Sequence, residues 1–168
     1  MLLIPFALDE KNRLYSPQDA QKGKSYFCPS CRKPVLLRRG DIKAAHFAHK
    51  ADAACSQETV VHETAKLLIQ KTIRDWKSGY SGAPIVRREC SVCFSTADQP
   101  LPEKVEDAVL EHRLPNGLIA DVALVTDNTV QAVIEIRVTH AVDADKASRL
   151  QTPFIELDGN EVLSDPFV

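Results

Sequence analysis

The sequence predicts an α/β (α+β) protein in two parts: a small β-rich zinc-binding module, then a body in which helices and strands follow the order αβββαβ. Three observations carry that prediction. A Cys-x-x-Cys pair, Cys28 and Cys31, is followed by His46, His49 and Cys55. From Glu58 to Trp76 the apolar residues Val61, Ala65, Leu68, Ile69, Ile73 and Trp76 recur at helical spacing. Two apolar, β-branched stretches, 118–125 and 132–140, carry the carboxylates Asp121 and Glu135. A core strand has little use for such groups, because charges taken from water must be paired.

Length and composition set the frame. A chain of 168 residues, 44% hydrophobic and 26% charged, can bury one ordinary core and carry a small appendage. The expected domains are residues 1–57 and 58–168. No apolar run approaches the ~18 residues of a membrane span. The apolar start, Met1 to Ala7, is short, lacks a basic leader and reads as a strand rather than a signal peptide. A cytoplasmic location is expected, where thiols stay reduced and a Cys-x-x-Cys pair suggests metal before disulfide.

The net charge of −2 excludes a basic coat over the whole chain. Its distribution is uneven: Lys11 to Lys50 holds ten basic residues against two acidic, and residues 51–168 hold 11 basic against 19 acidic. A basic module on an acidic body suggests contact with phosphate backbone through Arg32, Lys33, Arg38, Arg39 and Lys43.

In chain order, Leu2–Leu8 and Arg13–Tyr15 read as short strands around an Asp9–Asn12 turn, with a helical turn or loop over Gln18–Lys24. Cys28-Pro-Ser-Cys31 is a knuckle that turns backbone amides toward sulfur and presents two thiolates to a tetrahedral Zn²⁺. A hairpin of Val35–Leu37 and Ile42–Phe47 brings later ligands back to it. Cys55 with one histidine completes four ligands. His46 and His49 face opposite sides of an extended strand, so only one binds; His49, ending the hairpin, is the freer to turn inward, and His46 is the alternative.

The helix 58–76 takes its cap from Ser56 or Thr59 and stops at Ser78-Gly79. Pro84–Arg88 reads as a strand leading to a second pair, Cys90 and Cys93, for which a packed, reduced thiol pair is the default reading and a four-cysteine site with Cys28 and Cys31 the alternative. Thr96–Pro102 reads as a loop. Val105–His112 and Leu118–Val125 form a hairpin over Asn116-Gly117, which brings Glu111 near Asp121. Asp127-Asn128 turns into the strand 132–140, whose alternation puts Glu135, Arg137 and Thr139 on one face. A short helix over Asp143–Leu150, a strand over Phe154–Leu157 and a terminal turn over Glu161–Leu163 complete the chain.

Two carboxylates on neighbouring strands, with a cation two residues past the second, can hold a divalent metal against a phosphate. Asp121 followed by Glu135-Ile136-Arg137 resembles the PD-(D/E)XK nuclease superfamily, with Arg137 in the usual lysine position. Lysine can shed a proton and poise a water, whereas arginine stays charged and can only position and neutralise.

Further residues sharpen the likeness. Phe27-Cys-Pro-Ser-Cys31, Leu37-Arg-Arg-Gly40, His46-Phe-Ala-His-Lys50, Cys55, His62-Glu-Thr-Ala-Lys66 and Ile134-Glu-Ile-Arg-Val-Thr-His140, with Lys146 after it, resemble the competence protein CoiA-like family. The resemblance implies a cysteine-rich N-terminal module joined to a PD-(D/E)XK-type, restriction-endonuclease-like core, and work on DNA in uptake, processing or recombination. It also implies that Glu63 lends a carboxylate to the metal site and that Lys66 belongs to the family's own pattern.

Taken together, the residues lead us to expect a metal-dependent deoxyribonuclease. Asp121 and Glu135 would ligate Mg²⁺ or Mn²⁺, the Ile136 carbonyl could add a third oxygen, Arg137 would hold the scissile phosphate, and Lys66 or Lys146 would add a second cation. Zn²⁺ would be structural. The competing expectation is a catalytically inactive nuclease fold that binds nucleic acid or a partner protein in DNA processing; Arg137 keeps it open.

Overall fold

The computed structural model describes residues 2–51, 54–90, 92–140 and 142–164; Met1, Asp52, Ala53, Ser91, Ala141 and residues 165–168 lie outside the described residues. The chain divides into two compact units, Met1–Thr64 and Ala65–Val168. The division falls inside the first long helix, past the 57/58 boundary expected from the sequence. Among the described residues no helix is long and apolar enough to cross a membrane.

The N-terminal unit is β-rich. Its five strands, β1 (Ala7–Leu8), β2 (Leu14–Tyr15), β3 (Tyr26–Phe27), β4 (Pro34–Arg38) and β5 (His46–His49), form one antiparallel sheet in the order β2-β1-β3-β4-β5. Asp9 closes the first turn by accepting hydrogen bonds from the amides of Lys11 and Arg13, both at 2.9 Å. Ile4, Ala7, Tyr26, Val35, Phe47 and Val60 pack the core, and the fully buried Cys28 belongs to it. The β4–β5 hairpin is looser than expected: β5 begins only at His46, and Ile42 is 98% exposed.

The helix α1 spans Gln57–Lys77. Ser56 Oγ accepts from the Thr59 amide at 3.1 Å, a cap of the kind that contributes about 1 kcal/mol. At the other end Gly79 takes φ 82°, its amide donates to Trp76 O and the Tyr80 amide donates to Asp75 O. This pairing lets glycine close the helix by satisfying its last carbonyls.

In the C-terminal unit, β8 (Asp107–Arg113), β9 (Ile119–Thr126), β10 (Thr129–Arg137) and β11 (Phe154–Asp158) form a sheet in the order β11-β10-β9-β8, parallel between β10 and β11 and antiparallel elsewhere. Asp127 and Asn128, both with positive φ, make the two-residue turn between β9 and β10. The short helix α2 (Ala144–Arg149), capped by Asp143, crosses from β10 to the parallel β11, and α3 (Gly159–Ser164) follows. In chain order a separate two-stranded hairpin stands between α1 and this sheet, so the observed order matches the expected αβββαβ only with that hairpin and α3 set aside. Thr139 lies beyond the end of β10, so only Glu135 and Arg137 share the strand face.

A further element departs from the expectation. Thr96–Pro100, read as part of a loop, is a strand (β7) paired antiparallel with β6 (Ile85–Glu89). Its sequence, Thr-Ala-Asp-Gln-Pro, has no apolar alternation because every residue of it is exposed. The signal of a half-buried strand was therefore never present.

Candidate metal centres

In the N-terminal unit, Cys28 and Cys31 sit on the turn between β3 and β4, and His49 ends β5. The ligand atoms of Cys28, Cys31, His49 and Cys55 all lie within 4.8 Å of one another. Cys28 Sγ lies 4.0 Å from Cys55 Sγ, and Cys31 Sγ lies 3.3 Å from His49 Nε2. Sulfurs around a Zn²⁺ bound at about 2.3 Å stand about 3.8 Å apart, so this Cys₃His cluster could hold a zinc ion. His46 faces away and uses its Nδ1 on Ala44 O, at 2.9 Å.

The thiol chemistry suits a cation. Burial pushes the Cys28 thiol up to about 12, against the Cys31 and Ser30 amides that donate to it. Burial also opposes the Cys31 thiolate, but hydrogen bonds from the Lys33 amide, Cys55 and Cys28, with the Lys33 charge, outweigh it and lower that pKa. His49 is lowered by burial and by the Lys33 charge, so it favours the neutral ring a metal needs. A divalent ion would supply the positive charge that a buried thiolate lacks.

The basic residues of this unit divide. Arg38, Arg39 and Lys43, with Lys22, Lys24 and Lys50, line a concavity of about 1690 Å³ in which Asp41 is the only acidic lining residue among the described residues. Arg39 is committed within the fold: its guanidinium donates to the carbonyls of Pro17, Gln18 and Ala20. Arg32 lies instead beside Asn12, donating to its Oδ1 at 3.1 Å. Lys33 flanks the Cys₃His cluster through its charge.

In the C-terminal unit a row of carboxylates crosses the sheet. Ile134 pairs with Val122, which sets Asp121 opposite Glu135, and Glu135 pairs with Glu156 on the far side. The register of β8 on β9 places Glu111 opposite Asp121. Asp121 Oδ2 accepts from the Ile136 amide at 2.8 Å, and Glu135 Oε1 lies 3.4 Å from the Asp121 amide. Glu135 is only 2% exposed. Burial raises its pKa, as does the Asp121 charge, and the Lys146 hydrogen bond and charge oppose them.

Each cation assigned to this site lies on a carboxylate. Lys146, from α2, places Nζ 2.5 Å from Glu135 Oε2. Lys66, 1% exposed on α1, is bonded to Glu111. Arg137 reaches across the parallel pair to Glu156 at 3.8 Å and Asp158 at 3.4 Å. Glu63 lies in the N-terminal unit beside His62, 3.8 Å from its Nδ1. The sequence reading passed over Glu156, although it stands in the apolar strand Phe154-Ile-Glu-Leu157. A lone carboxylate in such a strand was the sign that singled out Asp121 and Glu135.

The fold and its side chains define a class: a β-rich module with a Cys₃His cluster, followed by an α+β unit whose sheet carries paired carboxylates. Residues 10–58 match the family model described as competence protein CoiA, N-terminal domain, so the N-terminal region of the chain is similar to that domain. No significant match is found among curated proteins or among solved structures.

Proposed function

We propose that the protein is a divalent-metal-dependent nuclease acting on DNA, working in DNA uptake, processing or recombination. The observation that carries this reading is Asp121 opposite Glu135 on adjacent strands, with Lys146 Nζ on the Glu135 carboxylate. The donor set suits Mg²⁺ or Mn²⁺, which commonly take one or two carboxylates and fill their other positions with water and substrate phosphate. When bound, such an ion lowers the pKa of a water and neutralises charge on the phosphate.

The chain's own residues do the rest. Asp121, oriented by the Ile136 amide, and Glu135 would hold the ion. Without the ion, Lys146 balances Glu135. An ion held there would take over that balance, and the Lys146 ammonium would then serve the phosphate or the attacking water. Lysine, unlike arginine, can pass through its neutral form there. This would give Lys146 the role that the superfamily's motif lysine would have, and leave Arg137, braced by Glu156 and Asp158 at the end of β10, to hold a phosphate oxygen. Lys66 and Glu111 brace the other end of the row. In the N-terminal unit the zinc would be structural, and the groove of Lys22, Lys24, Arg38, Lys43 and Lys50 would follow the DNA backbone.

The test is cleavage of single- and double-stranded DNA with Mg²⁺ or Mn²⁺, wild type beside Glu135→Gln. Metal-dependent cleavage by the wild type alone supports the reading. A wild type inert with every metal and substrate, yet retaining salt-sensitive DNA binding, would replace it with the inactive binding module.

A further inference from the structure

The tip of the β6–β7 hairpin repeats the first knuckle almost bond for bond. In the first, the Cys28 amide donates to Lys33 O at 2.9 Å, the Arg32 amide donates to Cys28 O at 3.0 Å, and Arg32 takes φ 61°. In the second, the Cys90 amide donates to Ser95 O at 2.9 Å, the Phe94 amide donates to Cys90 O at 2.9 Å, and Phe94 takes φ 56°. The amide two residues past the second cysteine donates to its sulfur in both: Lys33 to Cys31, and Ser95 to Cys93. A left-handed conformation is unfavourable for a residue as bulky as phenylalanine, by roughly 1 kcal/mol or more. A turn kept in that shape has a use for it.

The surroundings of the two knuckles are opposite. Cys28 is buried and joined by His49 and Cys55, whereas Cys90 and Cys93 are both exposed, which overturns the expectation of a packed thiol pair. Among the described residues, no third Cys, His, Asp or Glu joins Cys90 and Cys93 in a metal-binding group. The chain has five cysteines, and the other three are taken by the first cluster together with His49. That also disposes of a four-cysteine site shared with Cys28 and Cys31. Among the described residues, therefore, a four-coordinate zinc ion held by this knuckle would lack two of its ligands.

We propose that Cys90 and Cys93 form half of a tetrathiolate zinc site completed by the same two cysteines of a second copy of this chain, so that one zinc ion joins two chains. A two-fold axis through the metal supplies what is missing, two thiolates on the same turn, and makes the contact isologous. Val92, 86% exposed, and Phe94, 72% exposed, project beside the thiols at the hairpin tip. Across the axis each would meet its own copy, burying apolar surface that otherwise stands in water. Binding is balanced by proton release: four thiols give up four protons as four Zn–S bonds form.

The test uses the full chain, reduced and supplied with zinc, with metal content and molar mass measured together. The expected result is a dimer holding about 1.5 zinc ions per chain, one in each Cys₃His cluster and one shared. The double substitution Cys90→Ser, Cys93→Ser should give a monomer with about 1 zinc per chain and an unchanged circular dichroism spectrum. The retained zinc shows that the variant has folded. Cobalt in place of zinc should show a tetrathiolate spectrum in the wild type that the double variant lacks. A wild-type monomer, a dimer that survives the double substitution, about 2 zinc ions on a monomer, or a Cys90–Cys93 disulfide that persists under reductant with zinc present would each overturn the proposal.

Discussion

The two polar clusters of this protein differ in what they lack. The Cys₃His cluster brings together three thiols and a ring, and burial holds the Cys28 sulfur in its protonated form in the absence of a metal. The carboxylate row is already supplied with cations: Lys66 on Glu111, Lys146 on Glu135, Arg137 on Glu156 and Asp158. A buried charge must be matched by something. Where the match is a lysine on a movable side chain, an ion can come and go without cost to the fold. Where nothing but a metal can supply it, the metal becomes part of the fold. The first cluster thus could hold a zinc ion, and the second, in the function proposed above, would take a metal used in chemistry.

The largest test of this contrast is removal of zinc. Cys28→Ser should release about one zinc per chain and unfold the N-terminal unit, because binding energy at a structural site is folding energy. Limited proteolysis should then cut within residues 2–64 while a fragment from the C-terminal unit persists. Chelation of Mg²⁺ and Mn²⁺ should leave both units intact. If weak chelators of those ions unfolded the C-terminal unit, the division between the two clusters would collapse.

Next comes the row itself. Glu135→Gln should lower metal-dependent cleavage by more than about 100-fold with little change in melting temperature, since the amide fills the same space. Lys146→Ala should reduce cleavage by roughly 10- to 100-fold, with partial rescue by Lys146→Arg if the role is charge alone and none if a proton must move. Arg137→Lys, although it restores the usual motif residue, should change the rate by less than about tenfold, because Glu156 and Asp158 hold this position. A large gain from Arg137→Lys would mean that Lys146 does not take the lysine's place.

A smaller effect separates two neighbouring arginines. Arg38→Glu should weaken DNA binding about equally across sequences and flatten its salt dependence, by roughly one unit of slope for each lost phosphate contact. Arg39→Glu should act mainly on stability, because its guanidinium holds the turn carbonyls of Pro17, Gln18 and Ala20. Filter binding over a salt series, beside thermal melts, distinguishes them. Equal binding losses with no stability difference would return Arg39 to the DNA surface.

Much of the site was legible because it violates ordinary patterning. A Cys-x-x-Cys with a later histidine and cysteine has few uses but metal, and carboxylates in apolar strands stand out against a core that excludes them. What could not be read were the pairings made across the sheet. Arg137 and Glu135 share a strand face, yet which of them meets Lys146 depends on where α2 lands after the crossover, and nothing local encodes that. The β6–β7 hairpin was half missed for the reverse reason: it lies in solvent, so β7 needed no apolar pattern. Its turn was visible only through its cysteines.

The smallest effect compares two carboxylates that each have a cation beside them. Asp107 accepts a two-pronged contact from Arg74, and that hydrogen bond, against burial, holds its carboxyl below the usual range. Glu135 has Lys146 at 2.5 Å and is nevertheless raised, because burial outweighs the lysine. For Asp107 the sign is direct. A depressed folded pKa contributes stability that is present above the unfolded value of about 3.9 and is lost as pH falls through the folded value. Since the pair is partly exposed, it should contribute no more than about 1 kcal/mol and fade with salt. Arg74→Ala should therefore lower stability slightly at pH 7 and lose less on acidification below about pH 4 than the wild type does. Acid titrations of both proteins at low and high salt, followed by circular dichroism, measure the difference. If Arg74→Ala shows the same acid limb as the wild type at low salt, Asp107 is an ordinary surface carboxylate, and the contrast with Glu135 rests on burial alone.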